Sequence, residues 1–321
     1  MKTALANIVA ADTAAIARAG EIVRAGGLVA FPTETVYGLG ADATNERAVA
    51  AIFTAKGRPQ FNPLIVHVQD IAAAEQIAGF SPQARKLAQA FWPGALTLVL
   101  LRKSQTRISL LASAGLDTVA LRVPSHRTAQ ALLAAAGTAI AAPSANVSGR
   151  ISATTAQHVA EELDDKADLI LDGGATSLGL ESTVVSFDGD RAVLLRAGAV
   201  TRDAIEKIVG TLGPSTTGKI ASPGQLESHY APNAAMRLNA TAISSNEALL
   251  AFGPDVPRGA RMTRNLSASG DLQEAAANLF AMLRALDASG AARIAVMPIP
   301  ETGLGEAIND RLRRAAAPRN N

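Results

Sequence analysis

An apolar run, Leu28 to Phe31, stops at Pro32 and is followed at once by Thr33-Glu34-Thr35-Val36-Tyr37-Gly38-Leu39-Gly40. The run reads as a buried strand, and proline cannot donate to a sheet ladder, so the strand ends there. Any fold built on it delivers two hydroxyls and a carboxylate at a strand end, beside glycines that let another group approach the backbone. The expectation is the floor of a polar pocket.

Downstream, Asn45 is placed to cap a helix whose apolar Val49, Ile52 and Phe53 recur at three and four, which puts Lys56 in the last turn, before Gly57-Arg58-Pro59. Leu64 to Val68 reads as a second buried strand that would hold Asn62 and His67 near the end of the first. Two cations, hydroxyls and an imidazole suggest a bound anion. Solvated charges after a helix C-terminus account for Lys56 and Arg58 as well, because the helix dipole favours cations there. Arg122, between Leu121 and Val123, either faces solvent or pairs with a buried anion. His67 has no other histidine at metal-ligand spacing, and a base role for it is open.

Further motifs follow in a specific order: Pro143-Ser144-Ala145-Asn146-Val147-Ser148-Gly149, Glu181-Ser182-Thr183-Val184-Val185, Leu195-Arg196-Ala197-Gly198, Ser222-Pro223-Gly224 and His229-Tyr230-Ala231-Pro232. With these, nearly the whole chain resembles the YrdC family, as found in L-threonylcarbamoyladenylate synthases. The resemblance implies an α/β fold: a YrdC-like twisted mixed sheet with flanking helices around a concave pocket, plus a smaller Rossmann-like three-layer α/β C-terminal domain. It implies that threonine, bicarbonate and ATP give L-threonylcarbamoyladenylate and pyrophosphate, for modification of adenosine beside the anticodon of certain tRNAs. Downstream tRNA-modification proteins would take up the adenylate.

Residue by residue, the resemblance puts Lys56 and Arg58 in the catalytic role, with Asn62, at the ATP phosphates. Thr35, His67, Arg122, Ser182 and the backbone of Ala142 would form the threonine pocket, Arg122 taking the carboxylate two-handed. Thr118, Ser144, Asn146, Ser152, Arg196 and Tyr230 would lie near ATP, with Tyr230 closing over it like a lid. As residue types alone, hydroxyls in turns are more often caps. Gln225-Leu226-Glu227-Ser228 departs from the family, whose members often carry basic and aromatic residues there. Mg²⁺ is expected with ATP, held largely by phosphates and waters, with Glu34 as a candidate outer partner.

Composition bounds the alternatives. A chain of 321 residues suggests about two domains, divided here as 1–210, a linker or lid at 211–234, and 235–321. With 48% hydrophobic and 18% charged residues the chain reads as soluble and globular. Aromatic content of 3% leaves no interleaved base-stacking residues. Basic and acidic residues balance through Gly210, so bulk charge does not steer a polyanion here, and phosphate must be held by local charge-assisted hydrogen bonds worth roughly 1.5 to 3 kcal/mol each. A double-stranded RNA-binding or tRNA-binding module without this activity is the alternative reading, and a synthase would make only weak contact with tRNA or double-stranded RNA. The absence of cysteine excludes thiolate zinc, disulfides and thiol nucleophiles. No stretch reads as a secretory signal or membrane span, so the expected location is cytoplasmic.

Helices are expected at 13–24, 70–78, 81–91, 125–135, 155–163 and 201–209, strands at 96–101, 119–123, 138–142 and 169–171, and a hairpin at 183–195 around Asp188-Gly189-Asp190. Beyond the linker, 236–238, 247–252, 271–287, 293–297 and 305–316 read as strand, helix, helix, strand and helix. Two motifs are rejected. Gly213 to Lys219 imitates a P-loop, but Ile220 stands where a magnesium-binding hydroxyl is needed; Gly38 to Ala43 imitates a dinucleotide fingerprint without the ribose-binding acid.

Overall fold

The computed structural model describes residues 7–213 and 229–318. In chain order the first unit comprises β1 (Ile8–Ala10), α1 (Thr13–Arg24), β2 (Val29–Pro32), β3 (Tyr37–Asp42), α2 (Glu46–Lys56), β4 (Ile65–His67), α3 (Ile71–Ile77) and α4 (Pro82–Phe91). It continues with β5 (Leu96–Leu101), β6 (Thr118–Arg122), α5 (Arg127–Ala136), β7 (Ile140–Ala141), α6 (Ala156–Leu163), β8 (Leu169–Asp172), β9 (Thr183–Asp188), β10 (Arg191–Arg196) and α7 (Arg202–Val209). The second comprises β11 (Ala235–Arg237), β12 (Glu247–Ala251), β13 (Met262–Asn265), α8 (Leu272–Asp287), β14 (Arg293–Val296) and α9 (Leu304–Ala316).

Among the described residues the first unit is a ten-stranded mixed sheet in the order β1-β8-β2-β3-β7-β4-β6-β5-β9-β10, and the second a four-stranded parallel sheet in the order β11-β14-β12-β13. The mixed sheet flanked by helices is the expected architecture. In the second unit α8 and α9 lie on one face, where Phe280, Leu283, Ile308 and Leu312 cover Leu250 and Ile294; loop residues Ala240, Ile243 and Val256 cover Leu249 and Ala295 on the other. Its three layers are thus helices, sheet and loop. No helix among the described residues is long and apolar enough to cross a membrane.

Local chemistry sets the elements that carry the site. The Asn45 side chain accepts from the backbone amides of Arg47 and Ala48, and α2 stops at Gly57 in the left-handed region, φ 58°. Val49 and Ile52 bury the inner face of that helix completely. The β2–β3 hairpin turns through Thr33 to Val36, where the Thr33 hydroxyl donates to the Val36 carbonyl at 2.7 Å and lies 2.7 Å from the Thr35 hydroxyl.

Three readings are corrected. The glycines after Tyr37 lie inside strand β3, which their composition hides, and at Gly40 the close neighbour is protein: a Cβ there would stand 2.7 Å from the Phe31 ring and 2.8 Å from Ile140. The segment 247–252 is a strand, not a helix. Its Glu, Ala and Leu favour helix locally, but every residue of β12 is buried between two parallel neighbours, and packing overrides propensity. β1 and β13 were not anticipated, the first being three residues long and the second polar, Met-Thr-Arg-Asn, at a sheet edge. Apart from Gly213, which bridges to Val193, the P-loop-like segment, Ser222-Pro223-Gly224 and Gln225 to Ser228 lie outside the described residues.

The two units share apolar packing. Val36, Ile151 and Leu180 of the first belong to the same buried cluster as Phe280 and Leu283 of α8. Gly179, at φ 64°, sits against the backbone of α8, where a Cβ would come within 2.5 Å of the Ala276 and Ala277 carbonyl oxygens. Gly179→Ala is therefore expected to destabilise the protein by about 2 to 3 kcal/mol, through both backbone strain and overpacking. Urea denaturation checks this; an unchanged midpoint would contradict the tight docking of α8.

Candidate active site

The β2–β3 turn and the ends of β4, β6, β7 and β10 enclose a polar cavity whose wall includes Thr35, His67, Arg122, Ala142, Ser144 and Ser182, with Arg58, Arg196, His229 and Tyr230. Its free volume is about 50 Å³, room for a few waters and far short of a nucleotide.

At one end Arg122 is 3% exposed and threefold engaged: Nη1 donates to Thr35 Oγ1 at 2.9 Å, Nη2 to Glu34 Oε1 at 2.6 Å and Nε to the Gly94 carbonyl at 3.2 Å. The other Glu34 oxygen accepts from the Ser125 amide at 3.1 Å. Burial pushes the Glu34 carboxyl up, but the Arg122 guanidinium outweighs it and holds the group below the usual carboxylate range. Arg122 thus has the internal salt bridge that strand arginines commonly make, and two of its five N–H groups remain to address a ligand. His67 is level with Arg122 in the β4–β6 register and packs edge-on against Phe31. Burial and the Arg122 charge drive its pKa down to about 3, so the ring is neutral at physiological pH, and its Nδ1 is buried without a protein partner. Ser182 Oγ shares a 2.7 Å hydrogen bond with Thr97 Oγ1, and the Ala142 amide is committed to the Ile65 carbonyl.

At the other end stand the cations. Arg58 is folded back on its own loop, donating from Nε to the Asn62 carbonyl and from Nη2 to that of Pro63. Burial lowers its pKa to about 10, which leaves it charged. Arg196 enters the wall because the β9–β10 ladder slips between Leu194 and Arg196, a bulge that turns the following side chain inward. It donates from Nε and Nη2 to the Ser182 carbonyl and from Nη2 to Ser182 Oγ.

Not every expected residue reaches the cavity. Lys56 is buried with its ammonium donating to the Ser144 and Asn146 carbonyls, so it pins the Pro143–Gly149 loop from behind. Burial, then the Arg58 charge, lowers its pKa well below the usual lysine value. Thr118 opens β6, four residues before Arg122, and Ser152 donates to Glu181 Oε1 at 2.6 Å; neither lines the cavity, nor do Asn62 and Asn146.

Buried polar atoms normally have partners, and each orphan costs about 1 to 3 kcal/mol. Here Asn62 Nδ2 and Oδ1, His67 Nδ1, Asn146 Oδ1 and His229 Nδ1 are all buried without a protein partner. Of these, His67 and His229 line the cavity, where ligand atoms fit as the missing partners.

No group of three or more metal-ligating side chains occurs among the described residues. The Glu34 carboxylate accepts from Arg122 and the Ser125 amide, and Glu181 accepts from Ser152 and from Arg311 of α9. These side chains do not make a magnesium site of their own.

Sequence reasoning reaches Tyr230 but misses the second-unit residues that seat it against the cavity. Tyr230, at φ 62° and 1% exposed, stacks on Phe280 of α8 at 5.5 Å between ring centres and lies under the Arg311 guanidinium at 5.3 Å. The backbone amide of His229 donates to the Arg314 carbonyl at 3.2 Å, and that of Ala231 to the Gly149 carbonyl at 2.8 Å. Arg311 sits in the run Arg311-Leu312-Arg313-Arg314, which reads as solvated charge. The available signal was its spacing from Ile308, Leu312 and Ala315, which places it on the buried face of α9.

Residues 21–198 match the Sua5–YciO–YrdC family, described as Telomere recombination, and residues 200–317 match the threonylcarbamoyl-AMP synthase C-terminal domain. The threonylcarbamoyl-AMP synthase of Bacillus subtilis is 42% identical over 327 residues, covering 95% of this chain and 93% of that one. The chain belongs to the Sua5–YciO–YrdC family. A solved member, Pyrococcus abyssi Sua5 complexed with L-threonine, superposes with a TM-score of 0.86 at 38% identity over 94% of each chain. A shorter member, the threonylcarbamoyl-AMP synthase of Halorhodospira halophila, is 37% identical over 175 residues, 54% of this chain and 90% of that one.

The two buried histidines of this Sua5–YciO–YrdC protein set an acid limit. His67 and His229 both have folded pKa values of about 3, against an ordinary 6.5. Between those values the unfolded chain binds more protons, so stability is full above pH 6.5 and falls as pH drops, by about 1.4 kcal/mol per unit for each ring. Urea midpoints are expected to fall steeply from pH 7 to 5, and less steeply in His67→Gln; a flat profile would contradict the burial of both rings as neutral groups.

Proposed function

We propose that this chain is a threonylcarbamoyl-AMP synthase that makes its adenylate from L-threonine, bicarbonate and ATP. The observation that carries the reading is the pairing, in one buried cavity, of Arg122 with Thr35 and His67 at one end and Arg58 with Arg196 at the other. One end suits an amino-acid carboxylate and the other suits phosphates.

Threonine would place its carboxylate on the remaining Arg122 donors, with Thr35, His67, Ser182 and the Ala142 backbone around it. His67 is neutral, so it serves by hydrogen bonding, and its low pKa makes it a weak base. The threonine amine adds to bicarbonate with loss of water, giving a carbamate. A carbamate oxygen then attacks the α-phosphorus of ATP, the bond to the β-phosphate oxygen breaks, and pyrophosphate leaves with the electron pair. Arg58 and Arg196 would neutralise charge on the phosphates as that bond breaks, and holding three reactants in a desolvated cavity supplies effective concentration. Mg²⁺ would arrive on the phosphates of ATP.

Lys56 fits this scheme as the support of the loop that presents Ser144 and Asn146; Asn62, Thr118 and Ser152 are proposed to meet the nucleotide once Tyr230 opens to admit ATP and closes back over it. That movement is required because the cavity is too small for ATP with His229 and Tyr230 in place. The division at 210 and 234, the cytoplasmic location, and transfer of the adenylate to tRNA-modification proteins belong to the same reading. Mass spectrometry of a reaction containing ATP, threonine and bicarbonate tests it: a threonine carbamate linked to AMP is expected, and AMP without that adduct would contradict it.

A further inference from the structure

Glu181 lines the cavity with Arg58, Arg196, His229 and Tyr230, and it is the carboxylate on the proposed nucleotide side. An anion there opposes a triphosphate unless it is neutralised and turned away. Its Oε1 accepts from Ser152 Oγ at 2.6 Å and its Oε2 from Arg311 Nε at 2.8 Å. Arg311 is fully buried, belongs to α9 of the second unit, and also donates from Nη1 to the Ala197 carbonyl at 2.9 Å and to Asp310 at 2.8 Å. Burial pushes the Glu181 carboxyl up, and the Arg311 and Arg196 guanidiniums together hold it below the ordinary range, so it stays ionised.

Replacing a buried ion pair with apolar side chains is often neutral or stabilising, so stability alone gives little reason for an arginine here. Its contacts supply a better one. The same guanidinium fixes the carboxylate in the cavity wall, holds the backbone between Arg196 and Gly198 through Ala197, and covers the Tyr230 ring. We infer that Arg311 is a positioning residue of the nucleotide side, by which the second unit neutralises Glu181, keeps it off Arg196 and sets Tyr230 against the cavity. The inference rests on the synthase reading for the identity of the nucleotide. Without Arg311, the nearest buried cation for Glu181 is Arg196, which would be drawn from phosphate to carboxylate.

The test uses the full chain with MgATP and threonine titrated separately by calorimetry, in wild type, Arg311→Met, Glu181→Gln and the double variant, with melting temperature as a folding control. Arg311→Met is expected to weaken MgATP binding by about tenfold or more while threonine affinity changes by less than about threefold. Adding Glu181→Gln removes the unpaired charge and is expected to restore at least about threefold of the lost ATP affinity, while the threonine affinity, which a general loss of structure would also lower, stays near that of the wild type. An Arg311→Met protein that binds MgATP normally overturns the inference, as does a double variant no better than the single one. If Arg311→Met does not fold, the double variant decides: near-normal MgATP affinity supports the inference, and weak binding or failure to fold overturns it. A wild type that binds MgATP but makes no adenylate removes the synthase reading and leaves these affinities to judge Arg311; one that binds no MgATP removes both.

Discussion

Arg122→Ala is expected to raise the KM for threonine on the order of 100-fold, about 2.7 kcal/mol, and to leave the KM for ATP within about threefold. The size follows from burial: Arg122 is 3% exposed, so its loss leaves a buried carboxylate without its charged partner. Its loss also strands Glu34, 6% exposed, as a second carboxylate facing the first. Arg122→Lys, which keeps charge but not the planar fork, is expected to recover only part of the affinity. Equal effects on both substrates would move Arg122 out of the threonine site.

Ending the chain after Gly210 is expected to abolish turnover. Truncation removes His229, Tyr230 and Arg311 and uncovers Val36, Ile151 and Leu180, which pack into the apolar cluster of the second unit. Glu181 would then face the cavity without its partner. The control in the full chain is Tyr230→Ala, which removes the ring seated on Phe280 and is expected to raise the KM for ATP by about tenfold or more. A truncated protein with full activity would show the second unit to be a tether.

Much of this was legible in the sequence because the signals are local. Asn45 and Gly57 bound a helix by cap chemistry, Pro32 ends a strand, and Gly189 turns a hairpin, each through its own backbone. Thr35, His67 and Arg122 were grouped by the family resemblance, and the structure brings all three to one cavity wall. What escaped depends on partners distant in sequence. The helix-favouring residues of β12 are a strand only because β13 and β14 flank them, and Gly40 is needed only because Phe31 packs across it. Arg311 acquires its role from Glu181, 130 positions away, and Lys56 turned out to bind loop carbonyls contributed by another motif. Nothing within those segments encodes the pairing.

The central claim is most directly tested by pyrophosphate release from ATP by the purified protein with Mg²⁺, measured with threonine and bicarbonate together and with each omitted. Release that requires both is the predicted result, since attack on the α-phosphorus awaits the carbamate. Release that proceeds without threonine or without bicarbonate, or no release in any mixture, would contradict the account.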